Sequence, residues 1–112
     1  MKNQIRFRIS ITLVSLLAIF SGNLYAAENI WIDVRTDQEW NSGHLEGAVH
    51  IPYTEIGEKI VTLTEDKNAP IKLYCRSGGR AGKAKKILDD MGYSNVTNIG
   101  GLDDAKKAAG QE

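Results

Sequence analysis

A second cysteine is missing from this chain. Cys75 stands alone, so no disulfide can form within the chain, and stability must come from packing rather than a covalent staple. An unpaired thiol is then a free reactive group, a link to another molecule or an inert core residue. A surplus of positive charge is missing too. The formal net charge is zero, and that balance includes Lys2, Arg6 and Arg8. Without those three the rest is mildly acidic, which excludes a nucleic-acid partner, because such binding needs a strongly basic surface. No apolar run reaches the roughly 20 residues that a membrane-spanning helix needs. No repeat, low-complexity tract or interdomain linker interrupts the chain. Metal ligands are also scarce: His44 and His50 form no spaced set with the thiol, so no metal site is expected.

What the first residues do contain is a leader pattern. Lys2, Arg6 and Arg8 are followed by the apolar stretch Ile9 to Phe20, broken only by Ser10, Thr12 and Ser15, and then by the small and polar Ser21 to Ala27. This is the charged, apolar and cleavable order of a secretory signal. Residues 1–26 are assigned to it, with cleavage near Ala26 or Ala27. An uncleaved anchor would need a longer apolar run. No cysteine near the run offers a lipid attachment point. Export is expected, with no stable membrane association after cleavage. Residues 27–112 are enough for one small domain with a single core.

Within that domain, Asn29 to Arg35 reads as a strand with Ile30, Ile32 and Val34 alternating. Thr36 and Glu39 have the spacing of a capping box, and Gly43 must stop the helix they open. Val49 to Ile51 is a brief strand ended by Pro52. A helix is expected from Thr54 to about Thr62, a strand from Ile71 to Tyr74, and a helix from Gly79 to Met91. In that helix Ala81, Ala84, Ile87, Leu88 and Met91 share one face. Val96 to Ile99 is a short strand, Gly100 and Gly101 are read as its turn, and Leu102 to Ala109 as a last helix. The lysines at 83, 85, 86, 106 and 107, with Asp89, Asp90, Asp103 and Asp104 nearby, read as solvated helix faces. Strands alternating with helices predict an α/β fold: a central parallel sheet with helices on both faces.

Cys75 then falls at the carboxyl end of a strand, where open α/β sheets bind ligands. The residues after it, Arg76-Ser77-Gly78-Gly79-Arg80, enter a helix whose first N–H groups lack partners. That end of a helix favours an anion. The two glycines let the backbone curve so that several N–H groups turn inward, and the two arginines add positive charge. Such surroundings lower a thiol pKa from about 8.5 into the range of about 3.5–7.5. The expectation is a nucleophilic thiolate at neutral pH. The bland alternative is a cysteine that merely ends a buried strand.

Three motifs carry a family resemblance. They are Trp31-Ile32-Asp33-Val34-Arg35 with Glu39-Trp40; Gly43-His44-Leu45-Glu46-Gly47-Ala48 running on to Ile51-Pro52; and the Cys75 to Arg80 loop. Asn98-Ile99-Gly100-Gly101-Leu102 adds a fourth likeness. In this order they resemble the rhodanese-homology domain. With the leader and the short length, they are similar to that family's single-domain periplasmic thiosulfate sulfurtransferases of the phage-shock type. One departure is the absence of a tryptophan shortly after the glycine pair. Asp103-Asp104-Ala105 stands there, which bears on how the last helix packs.

The resemblance implies a rhodanese-like domain, with the active loop at the carboxyl end of a strand, that moves the sulfane sulfur of thiosulfate to cyanide or a thiol. A Cys75 persulfide is the intermediate, and no cofactor is needed. Arg76, Ser77, Gly78, Gly79 and Arg80 would bind the donor, with Asp33, Arg35 and Glu39 in support. The four residues between Cys75 and Arg80 resemble the sulfurtransferase loop rather than the longer loop of phosphatases on the same fold. Several roles stay open at this point. Arg80 either binds substrate or pairs with Asp33 or Glu39 and braces the loop. Ser77 either donates a hydrogen bond or fits the turn. His44 is either a base or a structural hydrogen-bonding residue, and Tyr74 either lines the pocket or packs beneath it. Two other functions use the same thiol: a persulfide or polysulfide carrier without turnover, and a small phosphatase or arsenate reductase.

Overall fold

The computed structural model describes residues 28–112; the leader assigned to residues 1–26 lies outside them. Four strands, β1 (Ile30–Asp33), β2 (Val49–His50), β3 (Ile71–Cys75) and β4 (Val96–Gly101), alternate with four helices. These are α1 (Asp37–Asn41), α2 (Ile56–Leu63), α3 (Gly79–Asp90) and α4 (Leu102–Ala109). All strand pairs are parallel, in the spatial order β2-β1-β3-β4. The α/β arrangement expected from the alternation is the one found. Among the described residues no helix is long and apolar enough to cross a membrane.

The two-residue period of a strand divides each side-chain set between the faces. From β3, Ile71, Leu73 and Cys75 enter the larger core, with Ile56 and Ile60 of α2 and Ala81, Ala84 and Leu88 of α3. Tyr74 enters the opposite core with Leu45, Ala105, Trp31 and Leu102. Both faces are therefore covered, as a parallel sheet requires. Full burial of Ile56 and Ile60 stabilises the docking of α2 by about 1.5–3 kcal/mol for each side chain. The last helix docks through Ala105, Leu102 and Ala109. Small residues let it lie close to the sheet in place of the tryptophan that the family resemblance leads one to expect.

The helix starts follow local chemistry. Thr36 and Glu39 form the expected capping box: the Thr36 N–H donates to Glu39 Oε1 (3.1 Å) and the Glu39 N–H donates to Thr36 Oγ1 (3.2 Å). One reading is corrected. Gly100 and Gly101 do not turn the chain out of β4 but stay in it, paired with Tyr74 and Cys75. The register steps from Leu73–Asn98 to Tyr74–Gly100, leaving Ile99 as the extra residue of a bulge. The irregularity sets Gly101, rather than Gly100, level with the thiol.

Chain order reverses between β1 and β3. The chain leaves β1 for β2 on one side, then crosses to β3 on the other. The crevice beyond the carboxyl ends of such a strand pair is where this architecture places ligands. Asp33 to Arg35 and Cys75 to Arg80 both lie there.

Candidate active site

Cys75 closes β3 with its side chain on the α2/α3 face, and only 1% of the residue is exposed. The chain then reverses into α3 through Gly78, which caps the helix with φ +100°. An L side chain is strained in that region. The turn brings the Gly78 N–H to 2.9 Å from Cys75 Sγ, where it donates to the sulfur. Burial pushes the thiol up, but the N–H groups of Ala81, Gly78, Ser77 and Arg80 together outweigh it. They hold Cys75 below its ordinary value. The expected low-pKa thiol thus arises from backbone dipoles at a helix start, where the loop presents several donors to one atom.

Arg80 lies in the first turn of α3, but its guanidinium turns away from the sulfur to Glu39. Nη1 donates to Oε1 at 2.6 Å and Nη2 to Oε2 at 3.0 Å. Of the arrangements left open for this arginine, the structure has the bidentate brace on Glu39, not a pair with Asp33. The Arg80 hydrogen bonds lower the Glu39 pKa to about 2 against the cost of burial, with the Thr36 donors assisting. A depressed carboxylate contributes stability above its unfolded pKa of about 4.3, and that contribution disappears as pH falls toward 2. Glu39→Gln is therefore expected to destabilise the fold by about 1 kcal/mol at pH 6. The gap from wild type should close between pH 4 and pH 2, as read by urea unfolding across that range. A gap independent of pH would show that the brace is not ionic.

Asp33 and Arg35 pair with one another at the end of β1. Arg35 Nη2 donates to Asp33 Oδ2 at 2.7 Å, and Nε donates to both oxygens at 2.9 and 3.0 Å. The same Nη2 donates to the Gly43 carbonyl at 2.7 Å, so the buried pair ties the loop after α1 to the sheet. Tyr74 packs beneath the site rather than lining it: it is fully buried, and its hydroxyl oxygen accepts the Leu45 N–H (3.0 Å). His44 places Nδ1 2.9 Å from the Trp40 carbonyl and stacks on the Trp40 ring (3.4 Å between centroids). That is the structural alternative, not a base beside the thiol. Ser77 is exposed, and among the described residues its hydroxyl has no hydrogen-bond partner; its contribution is the backbone N–H.

Sequence reasoning missed two groups of residues. Asn98 donates from Nδ2 to the Gly78 carbonyl (2.9 Å) and accepts the Gly100 N–H at Oδ1 (3.0 Å), fastening the sulfur loop to β4. A polar residue two positions after the core residue Val96, and so on the same face of the strand, was the available signal. Leu102, Asp103 and Asp104 are the second group. With Arg35, Arg76 and Gly101 they line a cleft of about 460 Å³. A second cleft of about 300 Å³ shares Arg35, Arg76 and Leu102 and extends to Glu39 and Gly43. Arg76, exposed at the start of the loop, is common to both.

Residues 17–108 match the family model described as a rhodanese-like domain. Over 92 residues the chain is 46% identical to thiosulfate sulfurtransferase PspE of Escherichia coli K12, covering 82% of this chain and 88% of that protein. Among solved structures, a rhodanese with anions from E. coli aligns with a TM-score of 0.66 and 45% identity, over 69% of this chain and 91% of that one. The rhodanese-like domain of the Alr3790 protein from Anabaena aligns with a TM-score of 0.65 and 28% identity, over 83% and 92%.

Proposed function

The chain belongs to the rhodanese-like domain family and is a thiosulfate sulfurtransferase; from that premise we propose that Cys75 carries the transferred sulfur as a persulfide. The supporting observation is the sulfur atom itself. It is the chain's only thiol, and it sits against the Gly78 N–H with the neighbouring loop donors favouring its anion.

In the first half-reaction the thiolate attacks the outer sulfur of thiosulfate. A bond forms between that atom and Cys75 Sγ, the bond to the sulfonate sulfur breaks, and sulfite leaves with the electron pair. In the second, cyanide or a thiolate attacks the outer sulfur of the persulfide, and the pair returns to Sγ. Both steps are exchanges at sulfur, so the balance requires no redox partner or cofactor, and an already ionised nucleophile requires no general base. The N–H groups of Ser77, Gly78, Arg80 and Ala81 stabilise the anion in both resting and charged states, as a preorganised anion hole does. Gly78 and Gly79 keep that backbone open, and exposed Arg76 attracts the dianionic donor. Arg80, held by Glu39, fixes the loop; Arg35, held by Asp33, fixes the wall opposite. The leader pattern of residues 1–26 supports delivery of the domain to the periplasm, where small-molecule donors and acceptors are the partners.

Intact-mass analysis of the mature protein after thiosulfate treatment tests this reading. The expected result is a gain of one sulfur atom, removed by cyanide with recovery of the original mass, and repeated turnover to thiocyanate. Charging once without turnover would mark a carrier instead. No adduct with any sulfane donor would sink the persulfide.

A further inference from the structure

The larger cleft beside the sulfur loop carries charges of both signs, and they are not equivalent. Arg35 is already bonded to Asp33. Asp104 accepts the Gly101 N–H at 2.8 Å at the start of α4. Arg76 and Asp103 both line the cleft, both are exposed and neither has an ion-pair partner among the described residues, while the Asp104 carboxylate adds a second negative charge beside Asp103. Such a cleft is a dipole rather than a cation trap. A dianion gains at Arg76 and loses at Asp103. A molecule carrying an ammonium and a carboxylate gains at both, and loses one attraction when either wall is neutralised.

We propose that Asp103 is a specificity-determining residue for the acceptor half-reaction, selecting a low-mass thiol that bears both an ammonium and a carboxylate. The inference rests on the persulfide reading above. Asp103 holds the ammonium and Arg76 the carboxylate, while the acceptor's thiolate attacks the outer sulfur of the Cys75 persulfide. The bond between the outer sulfur and Cys75 Sγ breaks, its electron pair returns to Sγ, and the acceptor leaves as its own persulfide. The placement of both charges suits this role. Arg76 follows the nucleophile directly, Gly101 pairs with Cys75 in the sheet, and Asp103 stands two residues further on. The cleft, at about 460 Å³, has room for an amino-acid thiol.

The test uses the mature protein charged with thiosulfate and freed of excess donor. Discharge rates are measured with L-cysteine and with 3-mercaptopropionate, which keeps the carboxylate and lacks the ammonium. Each thiol is compared with itself in wild type and Asp103→Asn, so its own reactivity cancels. The variant is expected to slow discharge by L-cysteine about threefold, in the range of an exposed ion pair, and to leave 3-mercaptopropionate equal or faster. High salt should shrink the difference. An unchanged ratio between the two thiols, or an equal fall for both, overturns the assignment. Failure of thiosulfate to charge wild-type Cys75 at all would overturn the persulfide reading instead, and this one with it.

Discussion

Cys75→Ser is expected to lower thiocyanate formation from thiosulfate and cyanide by about ten-thousand-fold or more, the loss typical of removing a covalent nucleophile. A serine hydroxyl at this site is nearly isosteric and still accepts the Gly78 N–H that now reaches Sγ at 2.9 Å. The backbone dipoles that ionise a thiol cannot ionise an alcohol, whose intrinsic acidity is far weaker. The exchange therefore isolates chemistry from structure: thermal unfolding should stay within about 1 kcal/mol of wild type, and no sulfur adduct should form. In wild type, the rate of alkylation should follow a titration centred below the ordinary thiol value of about 8.5, because the N–H groups of Ser77, Gly78, Arg80 and Ala81 outweigh burial. Residual turnover above about one per cent in the serine variant would place the chemistry elsewhere, since the chain has no other cysteine.

Gly101→Ala is expected to lower the rate by about a hundredfold without touching a charged or nucleophilic group. A Cβ at this position would collide with the carbonyl oxygen of Arg76, and the carbonyl carbon lies only 3.2 Å away. Both contacts are backbone, so neither can yield by a rotamer change. Either the Arg76 peptide moves, carrying the sulfur loop with it, or β4 separates from β3. A displacement near 1 Å costs about a hundredfold in a positioned reaction, and overpacking of this kind costs about 1–3 kcal/mol. Gly82→Ala is the matched control. Its Cβ meets only the Asn98 amide nitrogen at 3.5 Å, an ordinary contact within α3. Removing a helical glycine should stabilise by about 0.5–1 kcal/mol and leave kcat within about twofold. The pair is read by thiocyanate kinetics and urea unfolding. Equal behaviour of the two alanines would refute the role of the close approach.

Local chemistry is legible in the chain, and distant pairing is not. The capping box from Thr36 to Glu39, the apolar face of α3 and the loop from Cys75 to Arg80 each lie within a few residues, so spacing carries them, although of that face Ala81, Ala84 and Leu88 are buried and Ile87 is exposed. The partner of Arg80 is 41 positions away; composition narrows it to Asp33 or Glu39 and can go no further. Gly100 and Gly101 read as a turn because glycine carries no side-chain pattern. They are strand residues paired with Tyr74 and Cys75, and glycine stands at 101 because the neighbouring Arg76 backbone leaves no room for a side chain. Asp103 looks like part of a solvated helix face, which it is by exposure. Only the folded chain shows that Asp103 lines a cleft with Arg76, the residue next to the thiol.

The bulge at Ile99 has an effect beyond bringing Gly101 level with the thiol. β4 lies at one margin of the sheet, where an uninterrupted row of unpaired N–H and C=O groups would template the addition of a foreign strand. Stepping the register at Ile99 bends that row, and the Asn98 side chain takes up the Gly100 N–H. The distortion that seats the catalytic loop therefore also discourages the molecule from polymerising edge to edge.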